Sequence, residues 1–189
     1  TMPAADHTVT VNYAPICYGL TLTHSGTGSD PAPSPANSDG CAAGQFVAGQ
    51  TVTLNAAPGT GYTVGSWSGT TTDNSTALAN TVTMPAAAHT AGVVYTLACY
   101  NLTLTHSGQG SDPTAAPANS EGCPAARYHF NEAITLSATP DAGWQIASWS
   151  GASNNAATTS TNNLTMPPAD HTVSVIYSEI PTAGPGDTF

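Results

Sequence analysis

The feature that most constrains this chain is an internal repeat with a period of 82 residues. Residues 20–41 and 102–123 are identical at 17 of 22 positions. A second motif occurs three times, as TMPAADHTVTVNY at 1–13, TMPAAAHTAGVVY at 83–95 and TMPPADHTVSVIY at 165–177. Because the spacing has no gaps, we expect two units of one fold at residues 14–95 and 96–177. Residues 178–189 are expected to form a tail or linker.

Residues 1–13 repeat the closing segment of a unit whose remainder is absent. Met2, Val9, Val11 and Tyr13 are expected to belong to an assembly strand, in which Val9, Val11 and Tyr13 alternate with polar residues and share one face. A strand with one apolar face is not stable alone. We therefore expect the segment to close a preceding repeat or to add to a neighbouring chain as a donor strand.

Alternation of apolar residues with threonine predicts an all-β fold. Five strands are expected in each unit. In the first unit these are residues 18–25, 45–47, 51–57, 62–67 and one strand running from 80–84 through 89–95. Their counterparts are 100–107, 127–130, 133–139, 144–149 and 163–177. Two loops are expected as well, an irregular Pro-rich loop at 26–40 and an exposed loop at 69–79.

Charge and the length of the apolar runs exclude nucleic acid as a partner and insertion into a membrane. The chain has one basic residue, Arg127, against eleven carboxylates, for a formal charge of −10. Nucleic-acid binding depends on Lys and Arg, so we expect none. The apolar runs are too short to span a bilayer, so we expect no membrane insertion. Without lysine, a Lys–Asn isopeptide bond cannot form.

The four cysteines are Cys17, Cys41, Cys99 and Cys123. Pairing within each unit leaves no cysteine over, whereas a repeated Cys41–Cys99 pattern would need a cysteine at Pro181. The spacing therefore favours Cys17–Cys41 and Cys99–Cys123, with a zinc site as the competing interpretation. Disulfides persist outside the cytosol and indicate a secreted or cell-surface protein.

Several polar motifs allow a chemical and a structural interpretation. His24, Ser25 and Asp30 suggest a hydrolase constellation, but a turn that caps its own backbone is the better account. The histidine at the repeated position in the closing strand is expected to hydrogen-bond a turn rather than bind a metal. The residues concerned are His7, His89 and His171. Calcium binding is weighed for Asp30, Asn37, Asp39, Asp112, Asn119 and Glu121, which lack the spacing of known calcium loops.

The aromatic residues also allow two interpretations. Trp67 and Trp149 are expected in the core rather than stacked on sugars, whereas Tyr62 and Trp144 are candidates for exposure. Asn74, Asn101 and Asn163 lie in N-x-S/T sequons and are possible glycosylation sites.

Residues 49–69 and 81–95 together carry a recognisable pattern. A strand leads into a turn at 56–61, an aromatic follows a glycine at Tyr62, an SW step includes Trp67, and a V-T-M strand closes the motif at 82–84. This pattern resembles the bacterial extracellular repeat families of the divergent InlB B-repeat and Listeria–Bacteroides repeat type. The resemblance implies β-grasp-like or small β-sandwich modules in tandem, with roles in spacing, adhesion or assembly rather than catalysis.

These observations lead to one main hypothesis. We expect a non-enzymatic extracellular structural protein without cofactors, acting as a stalk, an adhesin segment or a filament subunit that self-associates by strand addition. The alternative is a carbohydrate-binding accessory module of a secreted protein, with glycans as partners.

Overall fold

In the computed structural model, residue 6 and residues 8–181 are described. The chain divides into two units, Thr1–Thr96 and Leu97–Phe189. All regular structure in the described residues is β-strand, as the alternating pattern predicts. The described part of the chain has no helix that could cross a membrane.

Each unit has seven strands among its described residues. Those of unit 1 are β1 (Cys17–Ser25), β2 (Gly28–Ser34), β3 (Gln45–Val47), β4 (Thr51–Pro58), β5 (Tyr62–Ser68), β6 (Ala79–Thr83) and β7 (His89–Leu97). Those of unit 2 are β8 (Tyr100–Ser107), β9 (Gly110–Ala116), β10 (Arg127–Tyr128), β11 (Ala133–Pro140), β12 (Trp144–Ser150), β13 (Thr161–Thr165) and β14 (His171–Glu179).

The strands of each unit form two sheets. In unit 1 a four-stranded sheet has the order β3-β1-β7-β5 and a three-stranded sheet has the order β2-β4-β6. Unit 2 repeats both orders as β10-β8-β14-β12 and β9-β11-β13. Strands β1 and β7 are parallel neighbours, as are β8 and β14, whereas the pairs within the three-stranded sheets are antiparallel.

One hydrophobic core per unit joins the two sheets. Val52 and Leu54 of β4 pack in the same cluster as Trp67 of β5 and Val93 of β7. Alternate residues of these strands point inward, so threonine occupies the solvated faces. Each unit is therefore a small β-sandwich, and the described residues contain no β-grasp helix.

The expectation of an irregular loop at 26–40 is wrong in its first half. Residues 28–34 form β2, which pairs with β4 through a β-bulge between Ser29 and Ala32. Pro31 and Pro33 fit there because β2 is an edge strand, where a missing backbone N–H leaves no ladder bond unmade. The same correction applies to β9 in unit 2.

The expectation of one continuous closing strand is also wrong. Residues 79–83 belong to the three-stranded sheet and residues 89–97 to the four-stranded sheet. Met84 is buried and its backbone bonds to Gln50 and Gly49, after which Pro85 follows. The Met-Pro step is therefore where the chain crosses between the sheets. This division and the additional strand β2 raise the strand number from five to seven.

Candidate functional site

Residues 8–16 form no strand and are exposed. The exposed fractions of Val9, Val11 and Tyr13 are 80%, 64% and 91%. Residues at the same repeat positions in β7 and β14 are buried: Ala91, Val93, Tyr95, Val173, Val175 and Tyr177. Of the expected assembly strand, Met2 lies outside the described residues. A segment with core-type residues is thus exposed in this chain.

The disulfides join Cys17 to Cys41 and Cys99 to Cys123, and the described residues leave no cysteine free. In both, the two Cα atoms are 5.8 Å apart. The within-unit pairing expected from the repeat is therefore present. Each bond fastens the start of the first strand of a unit to the loop that precedes β3 or β10 and hydrogen-bonds to it.

An asparagine and the serine that follows it hold this loop in place. Asn37 Nδ2 donates to the carbonyls of Ser38 and Cys41 at 2.9 and 3.1 Å. The buried Ser38 accepts a hydrogen bond from Val47 N at 3.1 Å. Asn119 and Ser120 make the matching contacts in unit 2. Asn37 and Asn119 therefore use their amide N–H groups to fix a turn, and calcium binding stays untested.

His24 and Asp30 meet across the turn between β1 and β2. His24 Nδ1 lies 2.6 Å from Asp30 Oδ1, and His106 Nδ1 lies 2.5 Å from Asp112 Oδ1. The expectation that Asp30 caps its own backbone is wrong, because the turn brings it back to the histidine. Ser25 lies on the next position of the strand and is exposed.

Tyr95 connects this turn to the core. Its ring centroid lies 6.1 Å from that of His24. Its hydroxyl donates to Ser29 O at 2.8 Å and accepts from Ala57 N at 2.9 Å. Gly26 has a φ of 81°, and a Cβ at Gly26 would overlap the Tyr95 carbonyl. The repeated S-G-x-G-S-D-P motif is thus explained by close packing against this tyrosine.

In each unit a histidine and an asparagine fix the loop that follows β5 or β12. His89 Nε2 lies 2.7 Å from Gly69 O, and His171 Nε2 lies 2.7 Å from Gly151 O, as the turn-binding interpretation predicts. His7 lies outside the described residues. Asn80 Nδ2 donates to Thr72 O at 2.9 Å, and Asn162 Nδ2 donates to Asn154 O at 2.7 Å.

The tryptophans are core residues. Trp67 and Trp149 are each 2% exposed, and their indole N–H groups donate to Ala77 O and Thr159 O. Tyr62 and Trp144 are half-buried and pack against the cores. All four of these aromatic side chains therefore contribute to the cores.

One group of three possible metal ligands occurs among the described residues: Cys99, Cys123 and His129. Both sulfurs belong to the disulfide and offer no thiolate, so this group does not support the zinc interpretation. Of the sequon residues, Asn74 and Asn163 are exposed, whereas Asn101 is half-buried and donates to Thr103 Oγ1. Their glycosylation stays a prediction.

Comparison with known proteins gives one assignment. No curated protein and no solved structure matches the chain. The family model of the divergent InlB B-repeat domain matches twice in tandem, at residues 33–99 and 100–181. Together the matches cover most of the sequence and include both sandwich cores. The chain therefore belongs to the divergent InlB B-repeat domain family.

Proposed function

We propose that this chain is a non-enzymatic spacer or stalk segment of an extracellular repeat protein. Family membership supports the extracellular repeat assignment, and so do the two disulfides, which persist outside the cytosol. The proposal assigns no catalytic role to the His24–Asp30 pair.

The direction of the first and last strands of each unit carries the proposal. Because β1 and β7 are parallel neighbours, the chain enters unit 1 at one end of the sheet and leaves it at the opposite end. A nine-residue strand is about 30 Å long, so each unit carries the chain forward by about that length. Strands β8 and β14 do the same in unit 2. A fold with this property suits a tandem array.

The same pairing resists tension. Residues Leu20–Ser25 pair in register with His89–Val94, and Leu102–Ser107 pair with His171–Ile176. Tension applied at the two ends of a unit shears this ladder, so its hydrogen bonds share the load. Cys17 and Cys41 are 24 positions apart in the sequence, and their disulfide prevents the segment between them from being extended.

Single-molecule force spectroscopy on the full chain tests this proposal. We expect two discrete unfolding events, one for each unit. Reducing the disulfides should increase the contour length released in each event by about 80 Å, which is the extended length of the segment between the two cysteines. Featureless extension at low force would contradict a load-bearing role.

Assembly through the segment at residues 8–13 is the second part of the proposal. This segment is part of the motif at residues 1–13, which is identical to residues 165–177 at 10 of 13 positions. In the copy at 165–177, Val175 and Tyr177 are buried. Both described units already contain their own closing strand. The acceptor is therefore a unit of the same fold that lacks this strand.

A fusion tests the strand-addition part separately from the spacer role. A copy of residues 14–82 placed before Thr1 supplies a unit without a closing strand. We expect a third folded unit, with slow amide exchange at Val9 and Val11. The matched control carries Val11→Asp and Tyr13→Ala and should leave the added unit unfolded. An added unit that stays unfolded without these substitutions would refute donation by this segment, and the force experiment would be unaffected.

A further inference from the structure

The two disulfides have different neighbours. His129 lies beside Cys123, with Nδ1 3.6 Å and Nε2 3.8 Å from Sγ. The sulfur is thus almost equally far from both ring nitrogens. Val47 occupies the matching repeat position in unit 1. The chain therefore contains two disulfides of the same design, of which one has an imidazole against its sulfur.

Both ring nitrogens of His129 face backbone carbonyls. Nδ1 lies 3.1 Å from Ala98 O and Nε2 lies 3.1 Å from Glu121 O. A neutral imidazole has one N–H and can donate to one of these carbonyls, whereas an imidazolium donates to both. The positive ring then faces the sulfur of Cys123.

We propose that the Cys99–Cys123 disulfide is a site of thiol exchange with small-molecule thiols, in which His129 stabilises the departing sulfur. An external thiolate attacks Sγ of Cys99 and forms a mixed disulfide there. The Cys99–Cys123 bond breaks, and its electron pair stays on Cys123 as a thiolate. A thiolate beside an imidazolium is a better leaving group, so this direction of exchange is the faster one.

Burial supports the same direction of attack. Cys123 is 8% exposed, whereas Cys99 is half-buried and is the more accessible residue of the two. Two carboxylates lie nearby and oppose a new negative charge. Glu132 is hydrogen-bonded to Ser120 Oγ at 2.9 Å, and Glu121 follows Ser120 in the chain. The stabilisation of the Cys123 thiolate by His129 therefore has to exceed its destabilisation by these two carboxylates, and the exchange rate measures the net effect.

The folded full chain provides its own control. It is incubated with reduced glutathione, and the released thiols are alkylated and located by mass spectrometry at timed intervals. We expect Cys99–Cys123 to exchange about tenfold faster than Cys17–Cys41. His129→Val and the uncharged polar variant His129→Gln should each reduce the rate to that of unit 1. Val47→His should accelerate exchange at Cys17–Cys41.

The opposite results would overturn the proposal. If His129 only holds the loop through Ala98 and Glu121, then His129→Val loosens the loop and accelerates exchange. Equal rates for the two disulfides in the unchanged protein would also refute the proposal, as would an unchanged rate in both His129 variants.

Discussion

The two units differ in sequence but keep the same set of anchoring contacts. Tyr95 and Tyr177 both donate to a serine carbonyl at 2.8 Å, and His89 and His171 both contact a glycine carbonyl at 2.7 Å. These contacts tie one strand or loop to the backbone of another. The comparison indicates that the fold depends on a small number of side chains that bind backbone groups.

Several differences that change the ionisable groups lie at one edge. Gln45, Phe46, Val47 and Gln50 of unit 1 correspond to Arg127, Tyr128, His129 and Glu132 of unit 2. Strands β3 and β10 nevertheless pair in the same register, although β10 has one residue pair fewer than β3. The edge strand thus accepts ionisable groups without a change of fold.

The largest expected effect comes from the core tryptophans. Trp67→Ala or Trp149→Ala should lower the free energy of unfolding of its own unit by about 3–5 kcal/mol, because a large cavity replaces a buried ring. Chemical denaturation followed by amide exchange measures each unit. Leu78→Ala, at an exposed position, is the control and should change little. Loss of both units together would contradict separate cores.

Removing a disulfide should have the next largest effect. Replacing Cys17 and Cys41 by alanine should destabilise unit 1 by about 3–4 kcal/mol, because the unfolded chain regains the freedom of the closed loop. The same change at Cys99 and Cys123 should cost unit 2 a similar amount. Thermal unfolding measures both, and a large inequality would show that the two bonds are not equivalent in folding.

Alkaline pH should lower the stability of unit 2 more than that of unit 1. Burial, followed by the Glu132 carboxylate, raises the pKa of Tyr128 above its ordinary value of 10.0. The folded state favours the protonated phenol, so this stabilisation is complete below pH 10 and is lost as pH rises through the folded-state pKa. Unit 2 should therefore lose more stability than unit 1, which has Phe46 at that position.

Tyr128→Phe provides the matched test of this pH effect. The variant should reduce the alkaline loss in unit 2, as followed by denaturation at several pH values. Burial also raises the pKa of Tyr177, against a smaller opposing effect of a backbone hydrogen bond from Thr139. Part of the loss should therefore remain in the variant, and an unchanged pH profile would contradict the role of Tyr128.

The smallest effect is expected at the His24–Asp30 pair. The two side chains are 33% and 57% exposed, so His24→Ala should cost less than about 1 kcal/mol. His106→Ala is the matched change in unit 2. Urea denaturation measures both, and a loss of several kcal/mol would indicate a role beyond a surface contact.

The repeat made several features predictable. It favoured disulfides within the units, because a repeated cross-unit pattern lacks a cysteine at Pro181. The repeated position of Trp67 and Trp149 among alternating apolar residues indicated the core. These features depend on local pattern and on register, both of which the sequence contains.

Features that depend on which strands become neighbours were not predictable. Proline excludes a residue from a central strand but allows it on an edge, and the sequence does not show that β2 is an edge. The crossing at Met84 likewise depends on which sheet each segment joins. The His24–Asp30 contact depends on the conformation of the turn between β1 and β2. The His129–Cys123 contact could have been suspected, because valine is replaced by histidine at the matching repeat position.

The parallel pairing of the first and last strands is the central claim, since it places the two ends of a unit at opposite ends of its sheet. Nuclear Overhauser contacts between backbone protons measure it directly. We expect Leu20, Leu22 and His24 to contact β7 in ascending order, near His89, Ala91 and Val93, with the same order between β8 and β14. A descending order, or no contact between these strands, would contradict the account.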